Sequence, residues 1–237
     1  MIVSNNGKAY NPRLMHIIFK NGLAAAKKNI GPGLLLQGFA LALLLLYYFH
    51  APTRQLLMTI PEIKARMGIS FPLLMTAFSG GILPFIFLAF RKEIPAGRYI
   101  PHLLFLTGFW AFNGMMVDLL YQGQALLFGD QADFATLIKK ITVDQFVFCP
   151  LYSAPVTAVA MHWKNCDFSW QKTKAELSAR VFAFEMLSVL ISIWGVWLPT
   201  VFILYSLPLA LQFPLFNIIL CFWSLLLSAL NSKPQSA

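Results

Sequence analysis

The chain has 237 residues, of which 58% are hydrophobic and only 11% charged. Soluble domains carry roughly 25% charged residues, so a water-dispersed enzyme, a disordered chain and a disulfide-stapled secreted module are excluded. A mean hydropathy of +0.68, with about 20 apolar residues needed per crossing, predicts an all-α, polytopic transmembrane helix bundle of about six spans.

Residues 1–30 form a basic segment with Lys8, Arg13, Lys20, Lys27 and Lys28, and the first acid is Glu62. The first two predicted spans occupy about Leu34 to Phe49 and Ile69 to Phe90 within residues 31–100, the second broken by Ser79-Gly80-Gly81 and Pro84. The remaining bundle covers 101–231, with spans at about Ile100 to Tyr121, Gln145 to Trp163, Val181 to Leu198 and Pro208 to Leu230, before a tail at 232–237. The apolar stretch 199–207 is read either as a continuation of the fifth helix past Pro199 or as a re-entrant turn. Before the fourth span, Phe134, Leu137, Ile138 and Ile141 recur at helical spacing and predict an amphipathic interfacial helix that runs straight into the membrane. Residues 54–67 repeat that pattern more weakly through Leu56, Leu57, Ile60, Ile63 and Met67.

The net charge of +9 is assigned to loops on an anionic leaflet, and nucleic acid is excluded as a partner. Six spans place thirteen Lys and Arg residues on one side and five on the other, which predicts both termini on the cytoplasmic or equivalent side. Cys149, Cys166 and Cys221 are odd in number and far apart, so no disulfide framework is expected. His16, His50, His102 and His162 are isolated, and no nucleophile elbow, Walker sequence or dinucleotide fingerprint is present. No metal, cofactor or catalytic set is predicted.

Polar residues within spans face a bundle interior or a wet cavity. Asp118, Lys139, Lys140, Asp144 and Gln145 gather near one mouth, with Lys140 and Asp144 spaced for an i, i+4 salt bridge. Glu185 lies about 7.5 Å along the helix from Arg180 by rise per residue, too deep for a short acid to reach the interface easily, and is read as lining a vestibule. Ser188 and Ser192 share its face. For the hydroxyls and glycines, close helix packing is the favoured reading.

Residues 139–150 read Lys-Lys-Ile-Thr-Val-Asp-Gln-Phe-Val-Phe-Cys-Pro and end at Pro150. Further on come Trp197-Leu198-Pro199, Leu207-Pro208 and Trp223 followed by Leu227-Ser228. This ordered set resembles the membrane-protein family of Mpv-seventeen and the twenty-two-kilodalton peroxisomal membrane protein. Its Gln and Asn-Phe after the Trp-Pro corner are replaced here by the apolar run 200–206, and the span at 34–49 is additional. The resemblance implies a small integral membrane protein of a mitochondrial inner or peroxisomal membrane, or of the cytoplasmic membrane in a bacterial relative. The expected function is a small channel, or facilitated passage of small solutes or ions across the bilayer, and a homo-oligomer is left open. The rivals are a non-conducting scaffold or assembly factor and, third, a lipid-modifying membrane enzyme.

Overall fold

The computed structural model describes residues 30–230, with side chains described as far as Trp223. The basic segment 1–29, the tail and the Ser228 side chain lie outside the described residues. Among the described residues, eight helices follow in order: α1 (Ile30–Phe49), α2 (Ala51–Met67), α3 (Ser70–Phe90), α4 (Tyr99–Phe128), α5 (Phe134–Asn165), α6 (Trp170–Glu176), α7 (Ala179–Tyr205) and α8 (Leu209–Leu230). Helices satisfy their own backbone groups, which hydrocarbon cannot do for them. By length and composition α3, α4, α5 and α7 can each cross a bilayer, and α1 with α2 makes a fifth candidate if that bent pair counts as one crossing. The described apolar part of α8, Leu209–Trp223, is shorter. Leu126 at 89% exposure, Phe90 at 88% and Leu151 at 76% present greasy surface that suits lipid and not water.

Helix α1 stops at His50, whose backbone is extended and whose ring accepts from the Thr53 amide, with Pro52 in the next turn. The chain bends by 102° there. Helix α2 therefore lies across the bundle end, burying Leu57 and carrying Lys64 inward. The centre belongs to α8, where residues 211–217 are all buried and Leu211, Phe213 and Leu215 are fully enclosed.

The glycine-rich interruption in the second apolar run does not break its helix. It forms a π-helical turn, Ala77–Ile82, inside α3. A Cβ on Gly80 would stand 2.5 Å from the Trp110 ring, and one on Gly81 would stand 2.9 Å from the Leu106 carbonyl oxygen. Gly114 in turn faces Thr76 and the Pro72 carbonyl. The absent side chains let α3 and α4 approach backbone to backbone. Gly81→Ala is expected to destabilise the protein by about 1–3 kcal/mol, because backbone cannot rotate away. Thermal melting in detergent checks this, and an unchanged midpoint would mean that the helices are not held this closely.

The stretch Phe134–Val143 runs without a break into the helix of the fourth predicted span, as its placement predicts, and buries Leu137, Lys140 and Ile141. Its N-cap, Asp133, accepts from the Thr136 amide at 3.1 Å, and hydrogen bonding from the Thr136 hydroxyl, followed by that amide, holds its carboxyl below the usual range. The stretch 199–205 continues α7 through Pro199, so no re-entrant turn forms there.

Candidate functional site

The middle of α5 is itself π-helical, Asp144–Ser153. In a π-helix the carbonyl of residue i accepts from the amide of residue i+5, and the group facing the Gln145 carbonyl is Pro150, which has no N–H. Trp194 of α7 supplies the missing donor, its indole Nε1 reaching the Gln145 carbonyl at 2.7 Å. The wide turn and this outside donor place Asp144, Gln145 and Cys149 on the bundle interior, all buried.

These side chains border a cavity of about 190 Å³ between the helices. Its walls are largely aromatic and aliphatic, with Phe109, Trp110, Tyr121, Phe148, Trp197 and Phe216 among them. Polar groups enter it from Thr76, Asn113, Ser153 and Thr157. Asp144 is held by three donors: the Tyr205 hydroxyl at 2.6 Å on Oδ2, and Gln145 Nε2 at 3.1 Å and Cys149 Sγ at 3.8 Å on Oδ1. No described cation touches it. Gln145 is 1% exposed, and its Oε1 has no hydrogen-bond partner among the described residues. A buried, unmatched acceptor beside a polar-dotted cavity costs stability unless something donates to it.

A second, more open chamber of about 740 Å³ lies beyond Tyr121, which borders both spaces. Its walls include Lys64, Asp118, Gln122 and Asp130. Asp118 does not face the Asp144 mouth. It forms an ion pair with Lys64 of α2 and accepts from Gln122 Nε2 at 2.7 Å. The i, i+4 salt bridge expected between Lys140 and Asp144 is also not formed. Lys140 is buried, with its carbonyl accepting from Gln124 Nε2 at 3.1 Å, while Lys139 is exposed.

Glu185 lies elsewhere. Its Oε1 meets His162 Nδ1 at 2.8 Å, near the far end of α5, and its side chain is 31% exposed. Ser188 donates to the Phe184 carbonyl and Ser192 to the Ser188 carbonyl, each at 2.9 Å. Neither borders the Asp144 cavity, which α7 lines instead with Val189, Ile193, Trp197 and Val201. Of the motif residues, Trp197 stacks obliquely on Phe216 at 5.4 Å, Pro150 sits in the π segment, Pro199 and Pro208 are exposed, and Trp223 packs at the core edge. Sequence reasoning missed Lys64, Tyr121, Trp194 and Tyr205. Each is a polar group on another helix that becomes relevant only through packing.

Compared with family models, curated proteins and solved structures, the chain matches none.

Proposed function

We propose that this chain is an integral membrane protein that helps a small solute cross the bilayer by holding it in the Asp144 chamber, not by opening a continuous pore. The carrying observation is the cavity of about 190 Å³ with the buried Asp144 carboxylate and the unmatched Gln145 Oε1 on its wall. Aromatic walls with a few fixed polar groups are the usual make-up of a small-molecule site. Tyr121, shared with the larger chamber, supports a stepwise route in which the side chain separates an outer from an inner compartment. In the proposed topology α1, α3, α4, α5, α7 and α8 make six crossings, α2 rests at the interface, and both termini face the Lys- and Arg-rich side. The Mpv-seventeen-like motif order around Asp144, Gln145 and Pro150 belongs to the same proposal.

A non-conducting scaffold is the second reading. It draws support from the pairing of Asp118 with Lys64 and of Glu185 with His162, which leaves neither acid free to attract ions. Reconstitution separates the two. Purified protein in proteoliposomes is expected to give saturable flux of small polar solutes without unitary current in planar bilayers. Thr157→Trp, which fills the chamber, is expected to lower that flux at least tenfold with helicity intact. No flux across a panel of neutral, cationic and anionic solutes would favour the scaffold.

A further inference from the structure

The far end of α5 brings together a second group of polar side chains that the chamber does not use. His162 and Cys166 sit one turn apart as the helix ends. Asp167 and Phe168, both in the left-handed region at φ 55° and 60°, then reverse the chain. Ser169 caps the short α6, which ends with Glu176. One ring nitrogen of His162, Cys166 Sγ and a Glu176 carboxylate oxygen lie within 4.8 Å of one another. Cys166 Sγ already donates to Glu176 Oε2 at 3.5 Å.

The surroundings of the His162 ring point the same way. A Glu185 carboxylate oxygen lies 2.8 Å from Nδ1 and occupies that ring nitrogen. The other, Nε2, is buried with no partner among the described residues, on a residue 9% exposed. A carboxylate on one ring nitrogen with the other left unpartnered is the arrangement that orients histidine for a metal.

We propose that His162 Nε2, Cys166 Sγ and Glu176 bind one divalent cation of the zinc class, with Glu185 orienting the histidine. A mixed nitrogen, thiolate and carboxylate set suits zinc and its neighbours, whereas calcium and magnesium take oxygen alone. Bonds of 2.0–2.3 Å at tetrahedral angles hold ligand atoms about 3.5 Å apart; Cys166 Sγ and Glu176 Oε2 already have that spacing, and all three ligand atoms lie within 4.8 Å of one another. Binding releases the Cys166 thiol proton to solvent. Thiolate and carboxylate together then offset the two positive charges, so the loaded centre is near neutral, as suits a site at the edge of a hydrophobic span. A fourth ligand, from water, completes the tetrahedron. Bound metal would fasten the α5–α6 reversal to the start of α7 without involving the Asp144 chamber.

The test uses full-length protein in detergent, reduced and freed of metal with a chelator. Zinc titrated against a chromophoric competitor is expected to saturate at about one equivalent per chain. Cobalt in its place is expected to give a thiolate-to-cobalt charge-transfer band with intense tetrahedral visible bands. Cys166→Ser, near-isosteric, is expected to lose that band while keeping its helicity, and Cys149→Ser and Cys221→Ser are expected to retain it. Glu185→Gln is expected to weaken zinc binding by about 10- to 100-fold. Absence of saturable binding, or a charge-transfer band that survives Cys166→Ser, would overturn the proposal.

Discussion

Lys64→Met is expected to lower the stability of the purified protein by about 3 kcal/mol, at the low end of the cost of breaking a buried ion pair. The low end applies because Lys64 keeps 20% of its side chain exposed, against 8% for Asp118. Methionine preserves the aliphatic packing where the Lys64 ammonium now lies 5.1 Å from the Phe213 ring centre, so the loss reports the charge. Among the described residues, Asp118 then keeps only its bond from Gln122. Adding Asp118→Asn removes the stranded charge, and the double variant is expected to recover at least half of the loss. Melting curves for the two single variants and the double complete the cycle. If each single change costs under about 0.5 kcal/mol, the pair behaves like an ordinary surface bridge and α2 is not anchored through it.

Tyr205→Phe is expected to cost about 2–3 kcal/mol, the range for a hydrogen bond to a charged group plus the penalty for a buried acceptor left short of a donor. Tyr205 is 1% exposed, and its hydroxyl is the nearest donor to Asp144, at 2.6 Å. Its ring stays supported by Tyr121 at 5.3 Å, so packing is little disturbed. The same variant is expected to change flux in proteoliposomes, since Asp144 loses the group that fixes it against the chamber wall. A variant as stable as the native chain would show that the carboxyl does not depend on this donor.

The helices were legible from hydropathy because the bilayer selects long apolar runs, and 70–90, 99–128 and 179–205 follow the apolar sequence closely. What the pattern misjudged was continuity. Ser79-Gly80-Gly81 reads as a break, yet a helix accommodates it as a π turn when a neighbouring tryptophan fills the space. Pro199 leaves continuation and a re-entrant turn both open by sequence, and α7 passes through it. The i, i+4 spacing of Lys140 and Asp144 implied a bridge, but the π segment beginning at Asp144 turns the carboxylate toward Tyr205, sixty-one residues later in the chain. Lys64 could not be assigned to Asp118 because the 102° bend after α1 decides where α2 lies. The His162–Cys166–Glu176 group was hidden for a similar reason. Two consecutive left-handed residues carry Glu176 back to the helix end, and nothing about Asp167 or Phe168 announces that turn.

Both π segments sit midway along long apolar helices and flank the same interior, since Thr76, next to the first, and Asp144, Gln145, Phe148, Cys149 and Ser153, within the second, share one cavity. A widened turn adds one residue to its loop of backbone bonding and swings the half-helix beyond it around its own axis. Shifting such a turn along the helix by a residue exchanges one set of bonds for another without exposing amides to hydrocarbon. The chamber is therefore bounded by two turns at which such an exchange of backbone bonds is open to the helix.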